Sequence, residues 1–126
     1  MTIEKTLSGL RGRKLQGQLL TFALDTEDDA LLTSARAAAD GLASKTLVKQ
    51  GPLRITLVTL RRGAALSAHQ VEEPCSIQVL RGQLRITTES GDVDIEAKHL
   101  VTLAAGVIHT ATALQDCAML LTIIKP

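Results

Sequence analysis

Aromatic side chains are almost missing from this sequence of 126 residues: Phe22 stands alone, with neither Trp nor Tyr. An aromatic cage for a cation and a stacking platform for bases are therefore excluded. Cysteine is nearly as scarce. Cys75 and Cys117 form no CxxC pair, which rules out a disulfide framework and a finger-type structural zinc site. Neither charge sign dominates, since 14 basic residues face 13 acidic ones, and this removes a strong drive toward nucleic acid or an anionic membrane. No run approaches the roughly 20 apolar residues of a membrane span, and residues 1–17 lack the apolar core of a signal peptide. A soluble, cytoplasmic protein with no nucleic-acid or membrane partner is expected. No G-x-G-x-x-G, Walker sequence, nucleophile elbow or strong internal repeat occurs, so dinucleotide-binding, P-loop, α/β-hydrolase and solenoid readings fall away.

What remains is rich in Leu, Ile, Val and Ala, with 45% hydrophobic residues, enough for one domain with one aliphatic core. Residues 1–18 are polar and carry Gly9, Gly12 and Gly17, which predicts a flexible N-terminal arm ahead of a single domain over residues 19–126. The apolar run 19–24 reads as an edge or swapped strand. A short helix is expected from Thr26, with Asp28 and Asp29 near its start and Gly41 at its end. From residue 42 onward, short Val-, Ile-, Thr- and Leu-rich segments alternate with turn residues at close spacing. Strands are predicted over 42–49, 53–60, 75–80, 84–88, 93–95, 99–103 and 117–124. No crossover helix fits between them, so the fold class is all-β, an antiparallel barrel or jelly roll.

Five residues in the middle of the chain carry further information. Gly63, His69, Val71, Cys75 and Gly82 are spaced like the first signature of the cupin family, in which a glycine, two histidines, a glutamate and a glycine recur. The segment around Lys98, Ala104, Gly106 and His109 is similar to the second signature, with Ala113 where the family often has asparagine. This resemblance to small, single-domain, RmlC-like cupins implies a divalent metal held by two histidines and a glutamate from the first signature and a histidine from the second. Here His69 and His109 keep two of those positions, while Val71 and Cys75 replace the other two, so the family's four-ligand site cannot form.

Strand periodicity supports part of this grouping. His69 and Val71 share one face of an extended segment, and Cys75 and Ile77 share one face of the next. The expected pocket comprises His69, Val71, Cys75, Ile77, Gln78 and His109, although Gln78 has the opposite parity from Cys75. Two imidazoles and a thiolate suit zinc or another transition metal, which makes His69, Cys75 and His109 the candidate ligands. Against this stands the plainer reading of a hydrogen-bonded pocket histidine and a small buried cysteine. The cofactor expectation is accordingly either none or a divalent metal. His99 matches no ligand position and reads as strand-edge polarity.

Three function classes follow. The first is a small-molecule-binding cupin lacking the full metal site. The second is a metal-dependent enzyme of isomerase, decarboxylase or dioxygenase type, or one using its histidines as acid and base near neutral pH. The third is a structural or accessory protein, because a fold alone implies no chemistry. A homodimer is expected, both because a free apolar edge at 19–24 would need covering and because the resemblance points the same way.

Overall fold

The computed structural model describes residues 14–70 and 72–125, with the backbone alone for residues 67–70. One helix, α1 (Leu24–Ala37), precedes nine strands: β1 (Leu42–Gln50), β2 (Leu53–Leu60), β3 (Ala65–Gln70), β4 (Cys75–Arg81), β5 (Gln83–Thr88), β6 (Gly91–Glu96), β7 (Leu100–Leu103), β8 (Ile108–Ala113) and β9 (Cys117–Ile124). Every pairing is antiparallel. The strands hydrogen-bond as two sheets, β1-β2-β9-β4-β7 and β3-β8-β5-β6. This is the expected all-β jelly-roll architecture.

Alternation along the strands explains the layering. In β9, Cys117, Met119, Leu121 and Ile123 belong to the core between the sheets, and β4 contributes Cys75, Ile77 and Val79 to it. Strand β2 is apolar on both faces and is covered on both. Val58 and Leu60 enter the inter-sheet core, whereas Leu53, Ile55 and Leu57 join Leu47, Leu120 and the helix in a second cluster. The helix is thus a third layer on the outer face of the larger sheet.

The apolar run at 19–24 makes no strand. Residues 14–23 have no regular structure, and Leu24 opens α1. The physical reason is helical spacing: Leu24, Asp28, Leu31 and Ala35 lie at i, i+4, i+7 and i+11, one stripe directed at the sheet. Leu24 and Leu31 pack in the outer cluster together with Leu20, and Ala35 is fully buried. Asp28 is therefore in the buried stripe of the second turn and not at the helix start. The Arg61 guanidinium closes the other end, donating to the carbonyls of Arg36 (3.1 Å) and Ala38 (3.3 Å). Ahead of the helix, the Leu15 carbonyl accepts from the Lys49 N–H at 2.8 Å, which ties this stretch to the end of β1.

The two ends of the sandwich differ. At one end, Ala113 N–H donates to the Ala64 carbonyl, Gly63 N–H to Ala113, and Leu114 N–H to Gln83, closing it with backbone hydrogen bonds. The opposite, open end is formed by the start of β2, the end of β3, the start of β4, the ends of β5, β7 and β9, and the start of β8. Strands β3 and β8 lie outside the seven expected from the sequence. Their Ala-, Thr- and His-rich segments lack the β-branched aliphatic density that marks the others.

Candidate functional site

A β-bulge builds the centre of the open end. In β3, Leu66 pairs with Ala111, so regular alternation would set Ala68 against His109; the register shifts between Leu66 and His69, and His69 becomes the direct partner of His109. Leu66 and Ala111 belong to the inter-sheet core, and His109, the register partner of His69, has the same parity as Ala111 and so lies on the inner face of its sheet.

His109 is held in place. Its residue exposure is 7%, and Nδ1 lies 3.1 Å from the Val107 carbonyl oxygen. A carbonyl only accepts, so Nδ1 carries the proton, and in the neutral ring Nε2 bears the lone pair.

Cys75 approaches the same end from the facing sheet. It opens β4, opposite Leu103 on one side and Ile123 on the other, and is buried in the core. A depression of about 400 Å³ at this rim is lined by Pro74, Cys75, Leu103 and Ile124, with the hydroxyls of Ser76 and Thr102 beside them. Burial pushes the Cys75 thiol above its ordinary value, which favours the neutral thiol over a metal-binding thiolate.

The remaining candidates separate. Ile77 lies one inner row below Cys75, fully inside the core. Gln78 is exposed on the outward side of β4, as its opposite parity dictates, so it does not share the face of Cys75. Val71 lies outside the described residues. His99 is exposed, and its Nδ1 accepts the Glu96 N–H at 3.4 Å, in keeping with strand-edge polarity. Cys117 is in the core at the closed end. Among the described residues, no group of three or more His, Cys, Asp or Glu side chains is arranged to hold a metal ion. Val71 and Cys75 replace two of the family's four ligands, so its full ligand set is not present.

Two residues at this end escaped the sequence reading. Arg54 is directly opposite Ile123 in β9 and Lys49 in β1, and Ile123 faces the inter-sheet core. The available signal was parity, since Arg54 alternates with Leu53 and Ile55, both of which pack toward the helix.

With this geometry in hand, comparisons define the class. No family model matches the chain, and no curated protein matches its sequence. Its structure is similar to that of a conserved Streptococcus pyogenes protein of unknown function, with 27% identity, a TM-score of 0.65, and coverage of 71% of this chain and 78% of that one. A cupin superfamily protein from Desulfitobacterium hafniense matches with 19% identity and the same TM-score, over 68% and 78% of the two chains. An RmlC-like cupin from Shewanella frigidimarina matches with 16% identity and a TM-score of 0.65, over 70% and 79%. The protein has the fold of the small RmlC-like cupins, as the spacing of Gly63, His69, Gly82 and His109 implied. No helix among the described residues is long and apolar enough to cross a membrane.

Proposed function

We propose that this protein is a small-molecule-binding cupin that takes its ligand at the open end of the sandwich and works without the family's full metal site. The observation that carries this reading is the backbone register pair His69–His109 at the open end, with the buried His109 on the inner face and fixed by the Val107 carbonyl. Val71 and Cys75 at two family ligand positions, together with the raised Cys75 thiol, favour a metal-free pocket over a catalytic metal. A bound molecule would be oriented there by few polar contacts among aliphatic walls.

The test is a thermal-shift screen of small metabolites on protein purified without an affinity tag, with metal content measured on the same preparation. The expected outcome is a ligand that raises the midpoint of the wild type and not of His109→Ala, with substoichiometric metal. Stoichiometric metal surviving purification, or ligands that stabilise both proteins equally, would overturn it.

The proposed assembly is a homodimer. The exposed Leu100 and Ile124, on an outer face where β4, β7 and β9 present Ser76, Gln78, Thr102 and Thr122, support covering by a second copy. Light scattering should return twice the chain mass for the wild type and the chain mass for Leu100→Glu. Two free, buried cysteines suit a reducing, cytoplasmic setting.

A further inference from the structure

The inner face at the open end carries positive charge that no carboxylate among the described residues neutralises. Lys49 and Arg54 are direct cross-strand partners in β1 and β2. Like charges placed directly opposite each other are destabilising unless something between them compensates. Elsewhere in the strands arginine is matched: Arg81 binds Asp28 and Arg85 binds Asp94, each through two nitrogens. Arg54 differs. Its Nη1 donates to the carbonyls of Gly51 (2.5 Å) and Leu53 (3.0 Å), which anchors one edge of the guanidinium on the β1–β2 turn, and it pairs with no carboxylate among the described residues. Nor does Lys49. Of the acids at this end, Glu72 and Glu73 line a separate depression with Pro74 and the outward-facing Ile124, and the exposed Glu89 lies with Val107 and Ile108 at the edge of the other sheet.

The topology sets this pair beside the histidines. Strand β2 enters at the open end and leaves at the closed one, where its link to β3 hydrogen-bonds Ala113. Strand β3 then returns to the open end, where His69 meets His109. Arg54 is thus on the inner face of one sheet at the level where the other sheet carries its histidine pair. Lys125 adds a third positive charge at that end, since its backbone N–H donates to the Pro52 carbonyl beside the same turn.

We infer that the ligand of the open end is a small organic anion, a carboxylate or a phosphate ester, whose charged group is received by Arg54 with support from Lys49. This rests on the reading of the open end as a ligand site and names the chemistry of what enters it. A guanidinium fixed along one edge presents its remaining N–H groups in a planar fork, which matches a carboxylate or phosphate bidentately. The anion also removes the Lys49–Arg54 repulsion, so binding and strand pairing reinforce one another. His109 is left to contact the uncharged part of the molecule.

The experiment titrates the full-length protein with inorganic phosphate and, separately, with succinate, following backbone amide and histidine ring resonances at low ionic strength. Glucose is the uncharged control. Expected are saturable shifts at Lys49, Arg54 and Ile123 with at least one of the two anions and none with glucose. Whichever anion binds tighter tells phosphate from carboxylate. Arg54→Gln should weaken binding roughly tenfold or more, the loss expected for a charge-assisted pair, and Lys49→Gln by roughly threefold. Arg54→Lys should recover part of the affinity, because it restores charge without the fork. Arg85→Gln, on the outer face of the other sheet, should leave it unchanged. Should Arg54→Gln fail to fold, Arg54→Lys and Lys49→Gln carry the same comparison. Absence of saturable shifts, or equal affinity in the wild type and the folded Arg54 and Lys49 variants, overturns the anion assignment. Glucose shifting His109 while both anions leave Arg54 unmoved also overturns it, yet leaves the open end standing as a ligand site.

Discussion

Arg81 grips Asp28 with two nitrogens, Nε at 2.7 Å and Nη2 at 3.0 Å, joining the end of β4 to the buried stripe of the helix across 53 residues of chain. The same carboxylate accepts the Thr59 hydroxyl at 2.9 Å, and Arg81 Nη1 donates to the Asp116 carbonyl at 3.0 Å. Helix, β2, β4 and the β8–β9 turn therefore meet at the Asp28–Arg81 pair. Asp28→Ala leaves a buried hydroxyl and a half-buried guanidinium unpaired. It should cost about 2–3 kcal/mol, below the usual figure for a fully buried pair because Arg81 keeps access to water. Urea unfolding of the variant checks this, and Asp28→Asn, which retains the Thr59 contact, should cost less.

The same carboxylate makes the fold acid-sensitive. Burial pushes the Asp28 carboxyl up, but the hydrogen bonds from Arg81 and Thr59 and the Arg81 charge outweigh it and hold the group below its ordinary value of 3.8. The unfolded chain then takes up the proton first as pH falls. The stabilisation is whole above the unfolded value and disappears as pH drops through the lower folded value. The Asp116 carboxyl, lowered by the Arg62 N–H and Arg36, adds to this in the same direction. Urea midpoints should be flat near neutrality and fall below about pH 4, with a shallower fall in Asp28→Asn.

Gly82, at the β4–β5 turn, has φ +83°, and a Cβ built there meets the Asp116 carbonyl oxygen and lies 2.7 Å from Cys117 Cβ. Gly82→Ala should cost roughly 3 kcal/mol, combining left-handed backbone strain with overlap against backbone that cannot move aside. Gly63 has φ +86° with open space around its would-be Cβ, so Gly63→Ala should cost only about 1 kcal/mol. Thermal midpoints of the two variants make the comparison; equal losses would show that conformation alone, and not the close approach to Asp116, requires Gly82.

Both thiols should be inert in the folded protein. Burial raises Cys75 and pushes Cys117 up to about 12, so neither supplies thiolate near neutral pH. Ellman's reagent should find almost no reactive thiol in native protein and both thiols in denaturant. Rapid native reaction of Cys75 would mark it as a thiolate, and with that revive the metal site.

Metal chemistry should appear when a family ligand is returned. Val71→His places a third imidazole at the family's second histidine position, and after identical chelation and reloading it should hold more zinc than the wild type. His109→Ala in that background should remove the gain, because imidazoles from both signatures are then no longer available. Metal content by elemental analysis decides between this and two histidines that only shape a pocket.

The sequence by itself determined a good deal. Period-two patterning with frequent turns specifies antiparallel sheets wherever branched aliphatics are dense, and strand β2 over residues 53–60 and strand β9 over residues 117–124 were legible to the residue. The spacing of Gly63, His69, Gly82 and His109 resembles the cupin signatures, and that resemblance pointed to the fold found. Three matters belonged to the tertiary structure alone. The β3 bulge made His69 the backbone register partner of His109, a place that unbroken pairing would have assigned to Ala68. The partner of Asp28 lies 53 residues away, so a buried acid read as a solvated one near a helix start. The run at 19–24 leads into a helix because a sheet face elsewhere in the chain offers its leucines a place to pack, and Lys49 meets Arg54 only because β1 and β2 pair in that register. Local pattern reports what a segment can form; what its side chains meet depends on contacts distant in sequence.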